Sequence, residues 1–586
     1  MPEIQSIFDI ASKPGIKRDG TNFDSSYYND GQWVRFQRGK PKKIGGYRLI
    51  SDILAAPIRA THTDSRASTN SIHSFSPWGV ERLQVDNVGT GGAVYNRTPS
   101  GFIKNDNLTW STGQMYSSTG GAFTALIAAA TPDLSDISSD SGGRVYSGDV
   151  TGTSALTVIQ DGAGDILVSG GCVVLQPFLF VYGSNGLIRN SNPNDYSAAT
   201  GWTTGGSNYA NSANPCGTKI IKGLPMRGGS GSPAGLFWSL DSLIRVTFTG
   251  GTTIWNFDTI SSSISILSKN CVVEYDGIYF WAGVDRFYFY NGVVKELPNE
   301  MNLNYFFDNL NFSQRQKVWA MKIPRYGEIW WFYPSGGSTE CNRAVIFNVR
   351  ESTWYDIEIG RSAGSSPQLL TYPIMAGIED NQQTKRFPFT AISGAFAAGD
   401  VITGATSSAS GTILKIVGGY MNVLVNGLSI FLNGETISNT EGSTGTIDAE
   451  PADQQLDVIW QHEFGHDKIK QQNVSAIKSY IETTNMSFTT GGPSENVQPT
   501  DIQAVVSRIE PDFLQTGQMN LYVEGGSYAN SQNTESRMYT FDPTTEFVDL
   551  RDQRRLISLK FESNIAGGHY EMGKVLATIK PGDKRG

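Results

Sequence analysis

From Val272 to Leu297 the chain alternates short apolar runs with turn dipeptides, and the pattern predicts four strands laid end to end. Asp276-Gly277 and Asn291-Gly292 suit tight turns, because Gly and Asn adopt positive φ at little cost. Ile278 to Trp281 and Phe287 to Tyr290 are β-branched or aromatic, residues that pack well on a pleated, half-buried surface. The same pattern recurs. Aromatic runs begin near Pro177, Gly235, Gly277 and Glu328, at intervals of 58, 42 and 51 residues. Four-stranded propeller blades repeat at roughly 40–50 residues, with loops lengthening some of them. Few stretches show helical spacing. The expectation is a mostly β chain with a β-propeller-like core. A β-sandwich with irregular hairpins is the competing arrangement.

Around that core the pattern changes three times. Residues 60–389 are expected to hold the blades, interrupted by a loop-rich insertion at 103–165. That insertion is rich in Ser, Gly, Thr and Asp and poor in aromatics, so it has little apolar surface to bury. Its acidic residues, as in the run 133–140, lack the spacing of a calcium loop. At 390–450 a smaller repeat appears. Gly399-Asp-Val-Ile-Thr403 with Gly411-Thr-Ile413 returns as Gly434-Glu-Thr-Ile-Ser438 with Gly445-Thr-Ile447, offset by 35 and 34 residues. Two such β-units can bury their apolar faces on each other, which predicts an inserted β-repeat module. Phe387-Pro388-Phe389 and Glu450-Pro451 read as the strands of the hairpin whose tip it expands. Residues 451–586 are expected to be a C-terminal β region completing the core. The ring-closing strand comes either from the N-terminal region or from 452–480.

Residues 1–59 read as an N-terminal arm and an edge hairpin. Trp33, Arg35, Arg38, Lys40, Lys42 and Lys43 would give that hairpin a basic rim, a candidate surface for an acidic partner or nucleic acid. A basic edge also discourages edge-to-edge aggregation.

Composition narrows the classes. The length of 586 residues argues for more than one domain. The net charge of −9 is unlike that of a protein gripping DNA by its phosphates. No apolar run is long enough for a membrane span, and no basic-apolar leader opens the chain. Four cysteines lie 44, 55 and 70 residues apart without a CxxC pair, which predicts free thiols rather than a zinc ribbon. His462-Glu463-Phe464-Gly465-His466 matches the zinc-protease string H-E-x-x-H. That string works on a helix, where both imidazoles share a face. Here Leu456 to Trp460 runs into it as a strand, Gly465 costs a helix about 1 kcal/mol, and positions 469 and 472 are Ile and Gln. No metal or cofactor site is expected, and no phosphate-loop motif occurs.

The string DGQWVRFQRGKPKKIGGYR, from Asp30 to Arg48, resembles the N-terminal signature of tail hub, or tail nozzle, proteins of short-tailed bacteriophages, also called packaged-DNA stabilisation proteins. Two further strings are similar in the same order: the pair of aromatic segments at 274–299 and 327–355, and a C-terminal set. That set comprises Val506 to Phe513, Asp549 to Arg555, Leu559 to Asn564 and Lys580 to Arg585. The segments 103–165 and 390–450 fall outside the resemblance. It implies a structural virion protein rather than an enzyme, made in the bacterial cytoplasm and built into the tail. It implies a homohexameric ring that extends and plugs the DNA channel below the adaptor and opens for genome ejection. The implied partners are the adaptor, through the 17–48 region, tail fibres or spikes, and viral DNA in passing. The alternative class is a host-recognition fibre or spike, with or without glycan hydrolysis, which would form trimers.

Overall fold

In the computed structural model, Val272–Tyr275, Ile278–Ala282, Phe287–Tyr290 and Val294–Leu297 pair in sequence as one antiparallel sheet. Asp276 and Gly277 turn the first hairpin with φ of 50° and 80°, the left-handed pair that matches strand twist. The structure describes residues 6–584, apart from 11, 22–25, 67–68, 86–90, 119–122, 133–142, 227–232, 252–253, 368–369, 379–382, 428–429, 488, 491–497, 500–501 and 529–534.

Five more four-stranded meanders have the same order: blade 1 at 60–96, blade 2 at 109–158, blade 3 at 171–213, blade 4 at 220–261 and blade 6 at 319–358, with 272–297 as blade 5. Their first strands lie innermost. Ala60–Arg66 abuts Thr109–Ser117, which abuts Gly171–Leu175, which abuts Ile220–Pro225. Between blades 4 and 5 the contact is aromatic, Trp238 to Trp281 at 5.8 Å between ring centroids. Val272–Tyr275 then meets Trp319–Ile323, which meets Ala363–Ser365, which returns to blade 1. The core is a β-propeller.

Blade 7 is composite. Ala363–Ser365, Ile374–Ile378 and Asp457–His462 are followed outward by Tyr47–Leu49, and then by Lys468–Lys470 and Asn473–Ser475. Both expected sources of the closing strand are therefore used. The N-terminal strand lies between two that sit more than 400 residues later.

Alternation in blade 6 divides its core. In the fully buried run Glu328–Tyr333, Ile329, Trp331 and Tyr333 join the apolar cluster of blade 5. Trp330 and Phe332 face the other way, into a cluster continuous with a second domain. That domain is a β-sandwich. One sheet is ordered Val34–Gln37, Lys40–Lys43, His569–Lys584, Ile502–Thr516, Val548–Arg554. The other is ordered Asp30–Gln32, Ser479–Glu482, Leu556–Ser563, Met519–Gly526, Glu535–Phe541. Residues 451–586 thus do two jobs: 457–475 complete blade 7, and 479–584 build the sandwich with the N-terminal arm.

Two expectations need correction. Residues 109–158 are a complete blade rather than a loop-rich insertion, although 133–142, with the acidic run, lie outside the described residues. The blade packs with small residues: Ala125 to Ala130 are buried, and Gly113 sits so close to blade 3 that a Cβ there would lie 3.1 Å from Val174. The module begins earlier than 390. Thr384–Ser393 pairs first with Tyr420–Asn426 and then with Thr444–Ile447. Ser410–Val417, Val401–Gly404 and Thr436–Asn439 complete the circuit. Closure into a barrel leaves the six strands no free edge. Phe387, placed in the flank from sequence, is fully buried in the barrel core with Ile402 and Ile437. The hairpin that carries the barrel is Ile374–Ile378 with Asp457–His462, Ile378 facing Asp457.

Candidate functional site at the N-terminal hairpin

Arg38 and Gly39 turn the hairpin, with φ of 53° and 71°, and Gln37 faces Lys40 across it. The Glu351 carboxylate accepts the backbone N–H of both turn residues, which fixes the tip against blade 6. At the base, Trp33 also has positive φ, 59°, so its indole folds inward. Its Nε1 donates to the Gly45 carbonyl at 3.1 Å, and its carbonyl accepts from Ser479 Oγ at 3.0 Å.

Six basic or aromatic residues were expected on one rim, and the structure separates them. Trp33, Arg35 and Lys43 are buried. Arg38, Lys40 and Lys42 remain on the surface, with Lys42 paired to Glu571 at 3.2 Å. Alternation is not the cause, because Val34, Arg35 and Phe36 are all buried: blade 6 covers one side of this strand and the sandwich the other.

Arg35 lies at the centre of a closed knot. Its Nε donates to Glu328 Oε1 at 2.8 Å and Nη1 to Glu463 Oε2 at 2.8 Å, and Nη2 reaches both carboxylates. Its guanidinium stacks 3.5 Å from the Tyr326 ring centre. Glu328 also accepts from the Tyr355 hydroxyl at 2.7 Å and Trp330 Nε1 at 2.9 Å. Burial opposes the charge on Arg35, but Glu328 and Glu463 outweigh it and raise its pKa. Burial and then Glu328 push the Tyr355 phenol well above its ordinary range. The knot ties the hairpin to blade 6 and to the turn after Asp457–His462. Lys43 is anchored separately, its Nζ donating to the Gly568 carbonyl at 2.7 Å. Burial lowers it to about 8, against the pull of Asp467.

The H-E-x-x-H string is part of the same joint. His462 ends a strand, and its Nε2 accepts from Arg361 Nε at 2.9 Å. Burial, then Arg361, pushes its pKa well below the ordinary range. Glu463 has φ of 61° and is held by Arg35, and His466 stacks on His569 at 4.3 Å. The two imidazoles therefore share no helical face. Among the described residues no cluster of three or more His, Cys, Asp and Glu side chains has the arrangement of a metal site. All four cysteines are unpaired.

Upstream, Arg18 binds Asp356 and Asp30, and Asp19 accepts the N–H groups of Asn304 and Tyr305 at 2.9 and 2.8 Å. Those amides open the helix Leu303–Asn309, where a carboxylate is favoured. Above the knot a cleft of about 400 Å³ opens between hairpin and blade 6, lined by Arg38, Lys42, Tyr326, Arg350, Glu351 and Glu571. Sequence reading missed Glu328 and Glu463 as partners of Arg35. A basic residue between two buried apolar neighbours was the available signal.

No protein-family model matches the chain, and no curated protein does. Solved structures that resemble it include a WD40 β-propeller domain. The WD40 β-propeller domain of Doa1 is 11% identical, covers 57% of this chain and 94% of its own, and has a TM-score of 0.32. BBS1N, from a complex with ARL6DN, is 9% identical over 65% of this chain and 97% of its own, at 0.31. The AfRom2 CNH domain is 12% identical over 56% and 98%, at 0.28.

Proposed function

We propose that this chain is a structural protein of a short-tailed phage tail, the nozzle or hub that extends and plugs the DNA channel below the adaptor and opens for ejection. The observation that carries the reading is the position of the string Asp30 to Arg48, on which the resemblance rests. It is the mechanical joint of the molecule. Trp33, Arg35 and Lys43 fasten the hairpin, and Tyr47–Leu49 closes the propeller. Domains in one chain move against each other unless their interface is large and apolar. Here one apolar cluster runs from blade 6 into the sandwich. A rigid two-domain block suits a subunit that holds DNA under pressure.

In this reading six copies meet through a heterologous interface that closes on itself. The surface half of the hairpin, Arg38, Lys40 and Lys42, faces the adaptor, and the barrel at 384–453 faces fibres or spikes. An acidic chain, −9 overall, repels phosphates and lets DNA pass. The role is mechanical and takes no cofactor. Averaged images of purified virions carrying a tagged copy test it. The expected result is six-fold density for the tag below the adaptor. Three-fold density, the symmetry of a recognition spike, or absence from the virion sinks the proposal.

A further inference from the structure

Where the innermost strands begin, they leave a cavity of about 170 Å³ on the propeller axis. Thr61 of blade 1, Ser111 of blade 2, Lys222 of blade 4 and Trp319 of blade 6 line it, with Arg59 and Asn270 at strand entrances. We propose that this cavity binds a small oxyanion, a phosphate or a compact carboxylate, held by Lys222 with Ser111 beside it and Lys269 behind.

Lys269 is buried, and Lys222 is part-buried and lines the cavity; among the described residues neither meets a carboxylate, and the buried Lys219 stands nearby. The three stand close enough that Lys219 and Lys222 both act on Lys269. Lys269 donates to the hydroxyls of Thr109, at 3.3 Å, and Thr131, which are neutral partners. The other cation here, Arg59, is already matched: both its Nη atoms reach Glu340 at 2.7 Å. No carboxylate lines the cavity. Ser111 is 6% exposed, and its Oγ lacks a partner in good hydrogen-bond geometry, the Tyr182 hydroxyl being its polar neighbour. A buried cation without a counter-charge is costly, and so is a buried hydroxyl without a partner. One oxyanion satisfies both at once, since its oxygens accept from an ammonium and a hydroxyl together.

Titration agrees with that geometry. Burial lowers Lys222 to about 8, with only the thiols of Cys271 and Cys172 drawing it back. Burial, then Lys222, then Lys219 hold Lys269 well below the ordinary lysine range. Among the described residues, the charged and titratable groups around the cavity are Lys222, Lys269 and Lys219, the two neutral thiols and the Arg59–Glu340 pair. An entering anion favours the ammonium form, so binding near pH 8 takes up a proton.

The full chain, in phosphate-free buffer at constant ionic strength, is titrated calorimetrically with inorganic phosphate and, separately, with malonate. Saturable one-to-one binding of at least one is expected, and the tighter of the two identifies the source as phosphate or carboxylate. Lys222→Met is expected to weaken binding about 30-fold or more, as for truncating a buried charged partner. Ser111→Ala is expected to weaken it about 5-fold, the worth of one hydrogen bond. The heat at pH 8 should vary with the ionisation enthalpy of the buffer. Lys222→Gln serves as a second variant, and both are checked for native near-ultraviolet dichroism. No saturable heat with either anion, or unchanged affinity in the folded Lys222 variants, overturns the site.

Discussion

Two buried clusters of charge in this molecule are built on opposite rules. At Arg35 one guanidinium faces two carboxylates, and a phenol and an indole occupy Glu328 further. Every strong donor there has an acceptor inside the chain. At the axis, Lys222 and Lys269 are surrounded by thiols, hydroxyls and further lysine, with no acid among the described residues to match them. The first arrangement is complete and cannot take a ligand without being dismantled. The second is unfinished. Burial alone therefore does not separate structural charge from functional charge; what separates them is whether the chain supplies the counter-charge itself.

The largest effect should come from breaking the complete cluster. Arg35→Met leaves Glu328 and Glu463 buried and unpaired, and stranding a buried charge costs about 3–5 kcal/mol. Denaturant unfolding measures this loss. A change below about 1 kcal/mol would mean that both carboxylates simply protonate and that the knot is not what joins the domains.

An intermediate, pH-dependent effect belongs to Glu482 in the sandwich, an acidic counterpart of the axial lysines. Burial first, then Glu524 and Asp30, raise it from the ordinary 4.5 to about 7. The folded state holds this proton more tightly than the unfolded state does. Its contribution to stability is therefore complete below about 4.5 and is lost as pH rises through about 7. Glu482→Gln should flatten that part of the pH profile and raise the melting temperature at pH 8. Parallel profiles for the two proteins across pH 4.5–8 would remove Glu482 from the account.

The smallest effect on stability is expected at the axis. Lys222→Met removes a buried charge that no acid needs, and replacing such a group by an apolar one of similar volume is neutral or stabilising. Melting in anion-free buffer should show a change within about 1 kcal/mol or a gain. A loss near that of Arg35→Met would show that the chain itself supplies a counter-charge for Lys222, and the contrast between the clusters would fail.

Much of this architecture was legible in local pattern. Blades 3 to 6 announce themselves because their aromatic runs alternate with turn dipeptides, and that information lies within about ten residues of each position. The barrel was legible for a related reason: its two halves repeat, and Ile402 and Ile437 sit at matching places in each. Blade 2 was not legible, because it packs through Ala and Gly, whose burial leaves no hydrophobic signature distinct from a loop. Blade 7 was not legible because Tyr47–Leu49 has no local sign of its partner at Asp457–His462. The hairpin site was half legible. The basic residues are there, but which of them face water depends on blade 6 covering Arg35 from a distance of 293 residues in sequence. The axial cavity draws its lining from six blades, and no window of sequence contains it.

The position of the closing strand also sets a timetable. Tyr47–Leu49 leaves the ribosome well before both of its neighbours, Asp457–His462 and Lys468–Lys470, which lie about 400 residues later in the chain. At translation rates of about 5–20 residues per second, the strand waits roughly 20–90 s for them. Throughout that interval blades 1 to 6 can form as local hairpins, because each is contiguous, but the circle stays open. The Arg35 knot waits equally for Glu463. A chain that stops short of residue 457 has neither clasp, so the fold distinguishes finished from unfinished copies by whether the circle is shut.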